Sequence, residues 1–235
     1  MQPNVINIDD GVKTHGLIIQ TTGLAQGDCL SPLLFLVLVS ELPAAIQDGH
    51  RFVEAVMYAD DLALISHSEF HLQQSIATLV NHSRDRGLAI NVSKTMSMKI
   101  SRSGRQGRSS KFRISGDYIP TVRQFCYLGV IIPANGRSYG NHVRERVSQA
   151  FKALQDLRFP AKLSLSTALK LFQIKIHPIA TYGLKLIWKF LKLRDLECLE
   201  RVKAGYLKRV LCLHSSARNR LVYTLAEEGP LIEKL

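Results

Sequence analysis

The spacing of apolar and polar positions divides the chain into elements. Residues 5–8 and 17–19 are apolar runs on either side of Asp9-Asp10-Gly11, and Asp-Gly between such runs predicts a hairpin. Ser31-Pro32 predicts a helix start, with Ser at the cap and Pro in the first turn. The run that follows, to about Leu42 ahead of Pro43, is apolar almost all round, which predicts a central core helix. A second hairpin is predicted over 52–66. After it, Ser66-His67-Ser68-Glu69 has the form of a capping box. Leu72, Ile76, Leu79 and Val80 fall on one face of the predicted helix, and Gly87 follows as its terminator. Residues 88–90 and 96–100 read as strands, 101–110 as an exposed Gly/Ser/Arg-rich loop, and 112–114, 118–119 and 125–132 as short strands. Beyond Pro133-Ala134-Asn135-Gly136 the period changes from two to about 3.6, and the rest of the chain reads as helical. The apolar stretch 174–193, interrupted by Lys175, Lys185, Lys189 and Lys192, predicts a buried helical face. No internal repeat is visible.

The interruption inside the second hairpin carries the chemistry. Tyr58-Ala59-Asp60-Asp61 stands between the apolar runs Ala55-Val56-Met57 and Leu62-Ala63-Leu64-Ile65. Unpaired charge is costly to bury, so two adjacent carboxylates there are solvated, paired or bound to metal. Hard divalent cations prefer oxygen ligands, which points to phosphoryl transfer assisted by two metal ions.

Charge sharpens this reading. The 235 residues carry a net charge of +12, unevenly spread. Residues 1–100 hold 6 Lys/Arg against 10 Asp/Glu, whereas 141–215 hold 15 against 5. An acidic half with the paired aspartates, followed by a basic half, suits a polyanion gripped by one and delivered to metals in the other. Cys29, Cys126, Cys198 and Cys212 are scattered, without a Cys-x-x-Cys pair or zinc-type spacing, and read as reduced thiols of an intracellular protein. The first residues do not form a signal peptide, and the longest apolar run, 33–39, is too short to span a bilayer. No nucleophile elbow or P-loop is present, and the eight histidines are dispersed.

A resemblance now becomes specific. Gly23-Leu24-Ala25-Gln26-Gly27-Asp28-Cys29-Leu30-Ser31-Pro32-Leu33-Leu34-Phe35 resembles the Gly/Gln/Ser-Pro motif of reverse transcriptases, and Tyr58-Ala59-Asp60-Asp61 follows at a suitable spacing. Gly87-Leu88-Ala89-Ile90-Asn91-Val92-Ser93-Lys94-Thr95 resembles the next motif, and Tyr127-Leu128-Gly129-Val130 the strand pair that grips the primer. The wording is most similar to reverse transcriptases of non-LTR (LINE-type) retrotransposons. Two downstream segments, His177-Pro178-Ile179-Ala180-Thr181-Tyr182-Gly183 followed by Trp188, and Leu207-Lys208-Arg209-Val210-Leu211, resemble their thumb.

The resemblance implies an α+β fold. An incomplete polymerase palm of antiparallel sheet and packing helices would occupy 1–132, and a mostly helical thumb or connection region 133–235. It implies RNA-directed DNA synthesis with an RNA template, a DNA primer and dNTPs, two Mg2+ ions held by Asp60 and Asp61, and no membrane. Its place would be the nucleus, with cytoplasmic assembly. Lys94 would be the cation near pyrophosphate. Gly23, Gln26, Gly27 and Tyr58 would line the nucleotide and template side, with Tyr58 near the primer end, and Tyr127, Leu128 and Gly129 would face the primer. Basic helical residues (Arg144, Arg146, Lys152, Lys170, Lys175, Lys203, Lys208, Arg209) are candidate phosphate contacts, while Tyr182 and Trp188 read as core.

Such enzymes use a third carboxylate, on a strand upstream of the Gly/Gln motif. Asp9 and Asp10, in an apparent turn, do not match it, and the fingers are not seen. The chain alone is therefore expected to polymerise poorly unless an upstream fingers/palm segment joins it. A non-catalytic nucleic-acid-binding remnant, and a translated pseudogene product without a stable fold, are the rival readings.

Overall fold

A computed structural model describes residues 4–9, 14–20, 23, 27, 29–49, 52–101, 111–157 and 163–234; the side chains of 4–20, 48–49 and 234 are outside the description. The chain divides into two units, one formed by 1–95 with 111–119 and the other by 96–110 with 120–235.

In the first unit β1 (Asn4–Asp9) and β2 (Thr14–Gln20) form an antiparallel hairpin. Asp9 is the last residue of β1, paired with Thr14, so the connection begins after it; Asp10 and Gly11 lie outside the described residues. Helix α1 (Ser31–Val39) carries Pro32 in its first turn, as its fixed φ allows, but the cap position is Leu30 rather than Ser31. Pro43 does not close this helix. It sits in the first turn of α2 (Leu42–Gly49), where a missing N–H leaves no bond unmade.

The expectation of a core helix at α1 is corrected. Only Val39 is buried there, while Leu33, Leu34, Leu36, Val37 and Leu38 are exposed. A helix apolar all round has no polar face to orient it, so its pattern cannot say which side is covered.

Strands β3 (Val53–Tyr58) and β4 (Asp61–Ser66) pair antiparallel with Val53↔Ser66, Ala55↔Leu64 and Met57↔Leu62. Period two puts Val53, Ala55 and Met57 with Leu62 and Leu64 on the core face. There they meet Leu42 and Ile46 of α2 and Leu72 and Leu79 of α3 (Glu69–Asp85). The opposite face carries the other cross-strand pairs, ending in Tyr58↔Asp61.

Ser68, not Ser66, caps α3, accepting from the His71 N–H at 3.4 Å; Ser66 instead donates to the Phe52 carbonyl at 2.8 Å. Gly87, at φ 68°, ends α3 as expected, and the Leu88 N–H reaches back to Ser83 O at 2.8 Å. Residues 88–90 and 96–100 are irregular rather than stranded, apart from an isolated Ser97↔Thr121 bridge. Asn91 turns the chain here by capping a 3-10 turn over 92–94. β5 (Arg113–Ile114) and β6 (Asp117–Tyr118) complete this unit. Phe112, Ile114 and Ile119 pack on Ile76 of α3. The expected exposed loop at 101–110 lies, beyond Ser101, outside the described residues.

The second unit joins a hairpin to helices. β7 (Gln124–Tyr127) and β8 (Val130–Pro133) pair antiparallel across Leu128-Gly129. Helix α4 (Gly140–Asp156) packs against α6 (His177–Thr181) and α8 (Leu193–Val210). Between α5 (Leu165–Leu171) and α6 the chain passes through a π-helical turn over 172–176, and α7 (Leu184–Ile187) follows. Ile176, Ala180, Leu184 and Ile187 form a buried face within the predicted stretch 174–193, and Phe172 ahead of it joins the same core, although Ile174, Leu186 and Leu193 are exposed. α9 (Asn219–Ala226) closes on α8, with Val222 and Ala226 in the same core. Tyr206 of α8 is buried and donates to the Ala168 carbonyl of α5 at 2.8 Å.

The architecture is α+β. Among the described residues its strands form four separate two-stranded antiparallel ladders rather than one sheet. Among the described residues the last strand ends at Pro133, and every element from Gly140 onward is helical.

Candidate active site

The tip of the β3–β4 hairpin is a two-residue turn, Ala59-Asp60, closed by the Tyr58↔Asp61 pair. Ala59 has φ 52°. A left-handed first turn position twists with the flanking strands and is usually filled by glycine. In an L-residue it stores about 1–2 kcal/mol. Tyr58 and Asp61, directly opposite each other, share the face turned away from the core. Tyr58, Asp60 and Asp61 are all exposed.

Neither aspartate side chain makes a hydrogen bond or ion pair among the described residues. Adjacent, unpaired carboxylates offering only oxygen fit a hard divalent cation. Among the described residues no third His, Cys, Asp or Glu joins them in a metal-sized group.

Lys94 stands at the end of the 92–94 turn of the same unit, exposed, its backbone N–H bonded to Asn91 Oδ1 at 3.2 Å. No bond among the described residues links it to the aspartates. Gly23 and Gly27 are exposed at φ 89° and 93°, and a Cβ on Gly27 would meet nothing within 4 Å. Both therefore adopt a backbone that suits glycine. Gln26 lies outside the described residues.

Tyr127, Leu128 and Gly129 belong to the second unit. Leu128 and Gly129 have φ of 48° and 77°, the signature of a type I′ hairpin turn. This tip is held in a way the sequence reading missed. The Tyr182 hydroxyl donates to the Leu128 carbonyl at 2.9 Å, and a Cβ on Gly129 would stand 2.9 Å from the Tyr182 ring. Tyr182 is thus no core residue; it is half exposed and braces the tip, while Trp188 is partly exposed as well.

His142 of α4, fully buried, accepts the Ile131 N–H at Nδ1 (3.3 Å) and donates from Nε2 to the Tyr182 carbonyl at 2.9 Å. This pattern requires the neutral ring. Burial, assisted by the Arg146 charge, lowers its pKa against the opposing hydrogen bond to Tyr182. Gly183, at φ 75°, lets α7 start beside Val130 and His142. The Tyr-Gly dipeptide ahead of an apolar helix was the only sequence sign of this brace.

Among the described residues, Arg144, Lys203, Lys208 and Arg209 of the basic candidates already donate hydrogen bonds, Arg144 to Asn141 Oδ1 on its own helix. Lys203 is buried against Glu228 at 2.8 Å and also donates to the Gly229 carbonyl. Arg209 donates to the Leu154 carbonyl at 3.1 Å, near the end of α4, and Lys208 to the Ser215 carbonyl at 2.9 Å. Terminal helix carbonyls lack intrahelical donors, which explains the Arg209 contact.

Residues 4–132 match the model of the reverse transcriptase (RNA-dependent DNA polymerase) family. The chain belongs to that family. It is similar to a retrovirus-related Pol polyprotein from the type-1 retrotransposable element R2 of Popillia japonica, 27% identical over 96% of the chain and 32% of that protein. A second Popillia japonica R2 polyprotein is 30% identical over 76% of the chain and 31% of its own length. A probable RNA-directed DNA polymerase from transposon BS of Drosophila melanogaster is 24% identical over 72% of the chain and 20% of its length. The chain thus spans about a third or less of these curated relatives.

The expected kinship with non-LTR retrotransposon reverse transcriptases is borne out. The family match spans both the aspartate hairpin and the 127–129 turn. Reverse transcriptases depend on metal and bind a nucleic-acid template and primer. Among the described residues no helix is long and apolar enough to cross a membrane.

Proposed function

We propose that this chain contributes palm and thumb to a retrotransposon RNA-directed DNA polymerase, with 1–132 as partial palm and 133–235 as thumb or connection. The observation that carries the reading is the hairpin tip inside the family match, with Asp60 and Asp61 exposed at a strained two-residue turn and unpaired among the described residues.

In this reading Asp60 and Asp61 hold two magnesium ions. When bound, such ions activate the primer 3′-oxygen and stabilise departing pyrophosphate. The two carboxylates fix where that charge sits, Asp60 from the turn and Asp61 from the strand. Tyr58, on the face of Asp61, supports the primer end. Gly23, Gln26 and Gly27 give nucleotide and template close access to backbone. Lys94 supplies a cation or a proton to the pyrophosphate side. Tyr127, Leu128 and Gly129 present a rigid turn to the primer. A further carboxylate comes from an upstream fingers/palm segment, and the working compartment is the nucleus.

The test is primer extension on an RNA template with magnesium, for the chain alone and mixed with an upstream segment carrying that carboxylate. Extension in the mixture, lost in Asp60→Asn, is the expected result. Silence in both, with nucleic-acid binding retained and indifferent to Asp60→Asn, would overturn it in favour of a non-catalytic remnant. That rival has one observation of its own, the lack of a third metal-ligating group among the described residues.

A further inference from the structure

Arg146 stands apart from the other basic residues of the second unit. It lies one helical turn after His142 on α4, is half-buried, and has a buried Nε with no hydrogen-bond partner. No carboxylate pairs with it among the described residues. Its guanidinium lies over the Tyr182 ring, 5.5 Å from the centroid, a favourable placement for a cation. The same Tyr182 bonds the Leu128 carbonyl through its hydroxyl and His142 through its own carbonyl.

A planar cation is therefore fastened, through one aromatic ring, to the tip of the 127–129 turn. A partly desolvated guanidinium without a counter-anion is an incomplete ion pair. Its fork of donors matches the oxygens of a phosphate.

We propose that Arg146 contacts a backbone phosphate of the nucleic-acid strand lying at the 127–129 turn, and that Tyr182 is the positioning residue coupling that contact to the turn. This rests on the polymerase reading for the identity of the strand. The chemistry requires only a phosphodiester, so binding tests it without catalysis.

The full chain is titrated with a fluorescently labelled RNA–DNA primer-template duplex, without dNTP, by anisotropy over a series of KCl concentrations. Arg146→Gln is expected to weaken binding about tenfold at low salt, as loss of a charge-assisted bond would. It should also lower the slope of log K against log salt by about 0.7–0.9, one phosphate contact. Arg146→Lys should restore the slope while recovering affinity only in part, because the charge returns without the planar stack. Tyr182→Phe keeps the ring but frees the Leu128 carbonyl, and should weaken binding severalfold with the slope unchanged. A purely structural role for Arg146 would lower the thermal midpoint without this slope pattern.

Parent affinity and slope in Arg146→Gln would overturn the proposal. Should that variant fail to fold, parent affinity in Arg146→Lys would overturn it instead. A dNTP titrated without duplex separates the other phosphate source: Arg146-dependent dNTP binding with unchanged duplex binding would refute the strand assignment. Arg146-dependent duplex binding without primer extension in any mixture would sink the polymerase reading and sustain this one. Extension with duplex binding indifferent to Arg146 would do the reverse.

Discussion

Gly183→Ala tests the brace around the 127–130 turn through a side chain that is not there. Gly183 has φ 75°, and an added Cβ would stand 2.8 Å from Val130 Cγ2 and 3.2 Å from His142 Nε2. The left-handed backbone costs an alanine about 1–2 kcal/mol. Crowding of this kind in a packed site typically adds about 1–3 kcal/mol. Alanine also restricts the unfolded chain, which offsets about 0.4–1 kcal/mol. The net loss is about 1–5 kcal/mol.

Gly136→Ala is the internal control in the same unit. Its φ is 62°, but the nearest atom to an added Cβ is Ile100 Cγ2 at 3.6 Å, an ordinary contact. It carries the backbone cost without the crowding, and should lose no more than about 1.5 kcal/mol. The difference between the two variants isolates the packing of Gly183 on Val130 and His142. The chain has one tryptophan, Trp188, and it lies in the second unit. Its fluorescence during urea unfolding therefore reports on the unit under test. With urea slopes of about 1–3 kcal/mol per molar, the Gly183→Ala midpoint should fall clearly below that of Gly136→Ala. Equal midpoints would show that Gly183 does not support the hairpin as described.

Two further outcomes follow from buried polar groups. His142 is held neutral, with its pKa lowered mainly by burial, so the unfolded state takes up its proton first as pH falls. Stability is complete above the ordinary value of about 6.5 and declines as pH falls from there toward the lower folded-state pKa. Urea midpoints measured from pH 8 to 5 should show this decline, and His142→Asn should flatten it; an equal decline in the variant would refute the assignment. Glu228→Ala strands the buried Lys203 ammonium and should cost about 3 kcal/mol, near the low end for a broken buried pair because the Gly229 carbonyl remains. Lys203→Met combined with Glu228→Leu should recover most of that loss by the same unfolding assay, and a double variant as unstable as Glu228→Ala would contradict it.

Local pattern was enough where one face of an element had to be apolar. The β3–β4 hairpin, its acidic tip and helix α3 stand where period two and period 3.6 put them. A one-residue slip in that hairpin would turn Val53, Ala55 and Met57 to solvent, so the pattern sets the register. The chemistry at the tip was legible for a related reason. Carboxylates inside an apolar run have few stable fates, and the surrounding motifs match one family. The buried face predicted within 174–193 was readable in part in the same way, since Ile176, Ala180, Leu184 and Ile187 recur every three to four residues.

Elements without a distinctive face were not legible. Helix α1 is apolar on every side, so its sequence could not say that five of its aliphatic side chains stand exposed. Pro43 is equally compatible with the end of one helix and the first turn of the next, and only the backbone path chose α2.

What the sequence determined by itself is the set of strands and helices with one apolar face, the family, and the aspartate pair; these depend on neighbours within a few residues. Tertiary structure alone decided which cations are engaged and which are free. Lys203 and Arg146 look alike in sequence, but one meets Glu228, 25 residues away, while the other lies over the ring of Tyr182 with no carboxylate partner among the described residues. The brace of His142, Tyr182 and Gly183 on the 127–130 turn is of the same kind. It spans residues 40 or more positions apart, and the energies of such contacts depend on distances that no local period encodes.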